Sequence, residues 1–285
     1  MLRMKAGPAD NPSGRAKDSS PGRPREVVQI VRGLYSAATG MVAQQFVQDC
    51  LAGNLSNLNT TGYKQEVPTF HALREMAILR MGGATNEADA PIGALGLGSS
   101  FDHSETDLSA GPLERTEAPL DAALIGSGFF TVLTPFGERY TRAGHFELQV
   151  AGKGPDGKQT AWLVDGEGNR VVGMRGPIQI TDPRDVTIRP SGAVVSAGVE
   201  VDRLKVVDAD PASITKLGGN VLAIDAPRPL PNYVVRSGFL EQSNVSAVAS
   251  MVKMISVQRA YELAQRAVKS QDETLERAVN ELPRR

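Results

Sequence analysis

Three stretches of the chain carry different hydrophobic periods. Between Gly33 and about Asn57, Leu34, Ala37, Met41, Leu51, Leu55 and Leu58 recur at three- and four-residue spacings. Gln44 and Gln48 are the polar exceptions on that stripe, and no proline interrupts it. The pattern predicts an amphipathic helix. From Ser243 to Leu282 the period returns over about four heptads, at Met254, Val257, Tyr261, Ala264, Val268, Gln271, Leu275, Ala278 and Leu282. Only Gln271 breaks the apolar line. Ser243 or Asn244 is the expected N-cap, and Pro283 the expected stop, with Arg284 and Arg285 at the negative end. Such a helix is roughly 55–60 Å long. That exceeds what a small domain can cover, so the heptads call for a helical partner.

Between them, from about Ala90 to Ser237, short runs rich in β-branched and aromatic residues alternate with turn chemistry. FFTVLT (129–134) precedes Pro135-Phe136-Gly137, and AWLVD meets GEGN before RVVG. The pattern predicts an antiparallel meander, sandwich or barrel. Helix-length segments are missing between these runs, which argues against a parallel α/β fold. The predicted class is α+β: long terminal helices paired as a coiled coil, with an all-β domain inserted between them. The expected division is 1–30 disordered extension, 31–64 N-terminal helix and turn, 65–89 linker or short helix, 90–237 β domain and 238–285 C-terminal helix.

Charge and composition narrow the function. The 285 residues carry a formal charge of −1, which gives no reason to expect nucleic acid. Cys50 is the only cysteine, so no disulfide forms within the chain. No apolar run spans a bilayer, and Val27, Val28, Ile30 and Val31 are too few and too interrupted for a cleaved secretory signal. The start is rich in Pro, Gly and Ser, with little to bury.

Motifs for chemistry are weak. His71, His103 and His145 lack metal-ligand spacing. Asp165-Gly-Glu167-Gly-Asn169 opens like a calcium loop, but Arg170 stands where Gly is needed and Gly176 where Glu is needed, so a hairpin turn is the better reading. Ser213-Ile-Thr-Lys216 matches a serine–lysine pattern without its companion motifs. The glycines at 126 and 128, and at 93, 96 and 98, lack dinucleotide-loop spacing. No catalytic, cofactor or metal site is expected.

Gly33-Leu-Tyr35-Ser-Ala-Ala-Thr-Gly40-Met41, Gln44-Gln45 and Asn54-Leu-Ser-Asn57-Leu-Asn59-Thr60-Thr61-Gly62-Tyr-Lys64 resemble the N-terminal signature of the flagellar basal-body rod and hook family. Two further stretches agree in order. Pro119-Leu-Asp121 through Phe130, with Tyr140-Thr-Arg142-Ala-Gly144-His-Phe146, resembles the start of that family's β domain. Gly238-Phe-Leu-Glu241-Gln-Ser243-Asn244-Val245-Ser through Gln258-Arg259-Ala-Tyr261-Glu262 resembles its C-terminal helix. Length favours the rod proteins over the larger hook proteins. Val245-Ser-Ala-Val248 through Ile255 and Gln271-Asp272-Glu273 resemble the proximal-rod member, which is the preferred reading, while the 57–64 turn and the 258–262 run resemble the distal-rod member, which comes next.

The resemblance implies a structural subunit of the flagellar drive shaft. It implies export by the flagellar type III apparatus without signal cleavage, and a periplasmic rod location. The expected partners are copies of itself, other rod proteins and the export apparatus, with peptidoglycan as a further contact of the β domain. The residues expected to pack the assembly are Leu34, Met41, Leu51, Leu55, Leu58, Met254, Val257, Tyr261, Ala264, Val268 and Leu275. Asn54, Asn57, Asn59, Thr60, Thr61 and Gly62 are the expected signature turn, with a geometric role and no ligand. The family's usual start near Gly-Leu-Tyr suggests either translation from Val31 or a true disordered tail. The alternatives to the rod reading are a hook-related axial protein, a monomeric α+β protein with both helices on the β domain, a peptidoglycan-binding module and a cell-wall hydrolase.

Overall fold

A computed structural model describes residues 25–79, 91–153 and 159–281. Helix α1 spans Arg25–Ser56 and α2 spans Ala247–Glu281. The interior of α2 contains neither Gly nor Pro and is rich in Ala, Gln, Glu, Lys and Arg, all strong helix formers. The two helices lie along one another. They run antiparallel: Gly33, near the start of α1, abuts Gln271, near the end of α2. At the opposite end Asn244 donates its N–H to Tyr63 O.

The α1 helix begins earlier than expected. Residues 25–30 are helical and are not part of an extension. The last N-terminal proline is Pro24, and proline is well tolerated just ahead of a helix. Residues 1–24, and with them the expected tail, lie outside the described residues, as do Leu282, Pro283, Arg284 and Arg285.

Strands β1 (Glu66–Ala72) and β2 (Met76–Leu79) replace the expected linker or short helix over 65–79; residues 80–90 lie outside the described residues. β1 pairs antiparallel with β4 (Ser99–Thr106), and β2 with β3 (Pro91–Leu95). Residues 91–106 therefore belong with this segment and not with the main β domain. Period two is visible only in hindsight, as Val67, Thr69 and His71 alternate with Pro68, Phe70 and Ala72. The pair rests on α1 through rings: Phe46 stacks on Phe101 at 4.7 Å, and Phe70 meets Phe101 edge-on at 6.0 Å.

The remaining strands form the β domain. β5 (Leu113–Arg115) pairs with Phe239–Glu241, and β6 (Ala122–Ile125) with Val234–Ser237. The segment 238–246 thus opens with a strand, and α2 starts only at Ala247. An eleven-stranded sheet runs through β7 (Phe129–Thr134), β8 (Gly137–Thr141), β9 (Phe146–Lys153), β10 (Gln159–Asp165) and β11 (Arg170–Gly173). The neighbouring residues Phe129 and Phe130 enter opposite faces of β7, and each face has its own core. Phe130, Phe146, Leu163 and Val171 pack with Val186, Ile188 and Val194 of a small three-stranded sheet. Phe129 packs with Tyr140, Val207, Leu222 and Ile224. Burial on both faces explains why FFTVLT is apolar without alternation.

Candidate functional site

The three stretches that carry the resemblance meet at one place, where α1 ends, α2 begins and the β domain joins them. Asn54, in the last turn of α1, is fully buried. Its Nδ2 donates to Glu66 O at 2.8 Å. Its Oδ1 accepts from Glu66 N–H at 2.9 Å and from the Tyr63 hydroxyl at 3.2 Å. One amide thus satisfies both backbone groups of Glu66 and closes the loop 55–65.

Asn57 caps the helix through its side chain, donating from Nδ2 to Gly53 O at 2.9 Å, and its Oδ1 accepts from Thr60 Oγ1 at 3.2 Å. Asn57 and Asn59 keep negative φ: among the described non-glycine residues positive φ occurs at Glu117, Asp185 and Ala197. Asn59 is exposed, while Leu58, Thr60 and Thr61 are half-buried. Gly62 alone in this turn has positive φ, 69°. A Cβ there would lie 2.3 Å from Ala143 N and 2.4 Å from the Arg142 carbonyl carbon. Gly62 N–H also donates to Glu241 O at 2.7 Å. The glycine therefore serves a close backbone approach as well as a turn.

Beneath the turn sit three buried charges. Lys64 Nζ donates to Glu241 Oε1 at 2.6 Å and to Ser109 O at 2.7 Å. The Arg142 guanidinium reaches Glu241 Oε2 at 3.3 Å and also donates to Gly126 O. Gly111 N–H completes the shell on Glu241 Oε1 at 3.0 Å. The three side chains are between 1 % and 6 % exposed. Burial pushes the Lys64 ammonium and the Arg142 guanidinium below their ordinary pKa values, and the Glu241 charge opposes the shift in both. A second link comes from Lys216: its Nζ lies 3.0 Å from Glu66 Oε1, 3.1 Å from Lys64 O and 3.5 Å from the centre of the Tyr63 ring.

Asn244 ties the other side. Its Oδ1 accepts from Gln65 N–H at 2.7 Å, and its Nδ2 donates to Asp107 O at 2.9 Å. It is not the cap of α2. Ser246 is, its Oγ accepting from Ala249 N–H at 3.4 Å. Ser243 Oγ instead accepts from Val245 N–H in the turn before it.

The expected packing residues of the helices fall on their less exposed lines. On α1, Leu51 is buried, and Leu34, Met41 and Leu55 are half-buried. On α2, Val257 is buried, and Met254, Tyr261, Ala264, Val268 and Leu275 are half-buried, while most residues beside them are exposed. Other large apolar residues face solvent. Tyr35 and Val42 on α1 do so, as do Val248, Met251, Val252, Ile255 and Leu263 on α2, which are 51–73 % exposed.

The chemical motifs resolve into structure. Asp165 Oδ1 accepts from Glu167 and Asn169 N–H within a hairpin turn. Lys216 is held at the junction and Ser213 Oγ donates to Asp210 O, so the two form no dyad. Among the described residues no three His, Cys, Asp or Glu side chains are grouped to hold a metal, and no helix is long and apolar enough to cross a membrane.

Lys64, Arg142 and Glu241 escaped prediction because each is one letter in a separate motif. The available signal was a charge embedded in a stretch of turn-forming and apolar residues.

Comparison with known proteins covers the same three places. Residues 34–64 match the family model described as flagella basal body rod protein. Residues 123–196 match that of the flagellar hook protein FlgE/F/G D1 domain, and 236–281 that of the flagellar basal body rod FlgEFG protein C-terminal region. The chain is 31% identical to the flagellar basal-body rod protein FlgG of Bacillus subtilis over 276 residues, covering 88% of this chain and 99% of the relative. It is 33% identical to FlgG of Agrobacterium fabrum over 265 residues, 85% of this chain and 96% of the relative. It is 32% identical to FlgF of Caulobacter vibrioides over 258 residues, 87% of this chain and 97% of the relative.

Proposed function

Because the chain belongs to the flagellar basal-body rod family and is a structural protein of that rod, we propose that it polymerises helically through α1 and α2, which pair as an antiparallel coiled coil in the wall of the shaft. One observation carries this reading. Each helix hides one apolar line against the other and leaves a second line of large apolar residues in water. A contact repeated head to tail by a rotation that does not close gives a helical rod. Covering Val252 and Ile255 alone is worth about 1–2 kcal/mol each. Its partners are further rod and hook proteins, and the flagellar export apparatus delivers it through the cytoplasmic membrane.

The distal length of the helix pair orders on assembly. A lone amphipathic helix is marginal in water, and away from the junction α2 packs along α1, which the β1–β4 pair also touches at Phe46. This keeps the interface incomplete until the subunit reaches the growing tip. The position in the rod is proximal, on the residues Val245 to Ile255 and Gln271-Asp272-Glu273. Relatives named FlgG and FlgF match at similar identity, so those residues alone carry the position.

The test is Val252→Asp with Ile255→Asp in a chromosomal replacement strain. The variant should be stable and exported but absent from isolated hook–basal bodies, and the cells should not swim. Normal incorporation would overturn the interface. A deletion strain should stop basal-body assembly before the distal rod; a completed distal rod would overturn the proximal position.

A further inference from the structure

The strand Ile214–Gly218, at one edge of the eleven-stranded sheet, has its polarity inverted. It pairs with Val221–Ile224, which sets Ile214 opposite Ile224 and Lys216 opposite Leu222. Leu222 and Ile224 belong to the second core, so Ile214 and Lys216 occupy the inward positions. The outward positions hold Thr215 and Leu217, and Leu217 is 56 % exposed. A lysine points in where an aliphatic side chain would be less costly, and a leucine points out. A local inversion of this kind signals a residue kept for something other than packing. The Lys216 side chain, 9 % exposed, crosses from its own sheet to the helical side of the molecule. Its Nζ lies 3.0 Å from Glu66 Oε1, donates to Lys64 O at 3.1 Å and sits over the Tyr63 ring. All three contacts fall on residues 63–66, the segment that leads out of α1.

We propose that Lys216 is a latch that fixes the angle at which the β domain stands on the helix pair. The proposal concerns the single subunit and does not depend on how subunits polymerise. Two strands join the β domain to the helical part, Leu113–Arg115 and Phe239–Glu241, and they pair with each other. Just beyond this pair both strands bend at one level, at Glu117 (φ 59°) and Gly238 (φ 71°). There Thr116 and Glu117 N–H both donate to Gly238 O, and Gly238 N–H donates to Asp121 O. A two-stranded neck bent in both strands at the same level has the geometry of a hinge.

The buried triad does not lock that hinge. Its carboxylate, Glu241, lies in the neck strand itself, so Arg142 grips the domain at the axis. Gly62, bonded to Glu241 O, meets Ala143 at the same place. Away from the axis the seam is loosely filled. Residues 103–106 line a cavity of about 420 Å³ with Pro211, Ala212 and Ile214. Leu108 and Ala110 line another, of about 330 Å³, with Gly128, Phe129 and Ala209. Leu108 reaches the second core from that segment. A seam this open and this polar leaves relative motion as the default. Lys216 spans it with a charge, a carbonyl and a ring. Contacts in three directions fix an orientation, where a single contact fixes only a distance.

The test is a spin-label distance measurement on the purified full chain carrying Cys50→Ser. Labels go on Ser56→Cys, at the end of α1, and on Phe136→Cys, in the turn between β7 and β8; both positions are exposed. The parent should give one narrow distance distribution. Lys216→Met keeps the length of the side chain and suits an inward position. It should widen the distribution at least about twofold, the seam being returned to its default motion, with the urea midpoint unchanged or raised. Glu66→Gln, on the other side of the seam, should widen it in the same direction. Lys205→Met, which breaks the pair with Glu138 inside the β domain, should leave the width at the parent value. An unchanged width in Lys216→Met overturns the latch, whether or not the midpoint falls. A parent distribution as wide as the variant's overturns it too. Should Lys216→Met fail to fold, the width in Glu66→Gln carries the same test in its place.

Discussion

Glu241 balances two buried cations, and its replacement by Gln is the most informative single change in the molecule. The substitution keeps the shape of the side chain but removes the charge. In the native site Oε1 accepts from both Lys64 Nζ and Gly111 N–H, and Oε2 accepts from Arg142. A glutamine amide must turn an NH2 toward one of these donors. Lys64 and Arg142 then remain buried without a counter-charge. Breaking a buried ion pair in this way costs about 3–5 kcal/mol, about a fifth or more of a typical domain's total stability. Urea unfolding of the purified full chain, followed by far-UV circular dichroism and by the single Trp162, reads the effect directly. Lys64→Met should cost less, about 1–2 kcal/mol, because burying Lys64 is itself unfavourable and Glu241 still pairs with Arg142. The double variant Lys64→Met/Glu241→Gln should fall short of the sum of the singles by about 1 kcal/mol or more. A loss below about 1 kcal/mol for Glu241→Gln would refute the claim that the triad holds the junction.

Three further outcomes follow from the same contacts. Burial lowers the Lys64 pKa, so between that lowered value and the ordinary 10.5 the unfolded chain binds more protons than the native one, and stability rises with pH. The stability of wild type relative to Lys64→Met should therefore improve as the pH rises toward 10.5; a falling difference in urea midpoints would contradict the assignment. Tyr233 is pushed up to about 12 by burial, so above pH 10 its contribution declines as the unfolded tyrosine ionises first. Tyr233→Phe should flatten that alkaline loss, and an unchanged slope would exclude Tyr233 as its source. Gly62→Val should abolish swimming and lower stability by about 2 kcal/mol or more, since its Cβ would strike the backbone at Ala143; normal swimming would show that the turn yields.

Legibility in the sequence follows the range of the interactions. The heptad line of α2 was readable because its period depends only on neighbours three and four residues away, and those positions are its less exposed ones. The β region was readable as many short strands, since turns such as Asp165 to Asn169 are local chemistry. The strands at 66–79 were missed because Glu66, Pro68 and His71 interrupt the apolar signal, and their pairing with 91–106 depends on Phe101 settling between Phe46 and Phe70. The helix cap was misplaced by two or three residues: Ser243, Asn244 and Ser246 are all cap formers, and the tertiary contacts of Ser243 and Asn244 decide among them. The triad was invisible for the same reason. Lys64, Arg142 and Glu241 are 78 to 177 residues from one another in sequence, and an isolated charge normally predicts a wet surface.

The central claim is that the junction is fixed in the single subunit while the distal helix pair is completed by its neighbours. Amide hydrogen exchange, compared between a proven monomer and the assembled rod, addresses it most directly. The expected monomer shows protection at Asn54 to Lys64 and in the first turn of α2, falling away to fast exchange toward Gly33 and Leu275. In the rod, protection should extend along both helices. Full protection of α1 and α2 in the monomer, unchanged on assembly, would contradict the account.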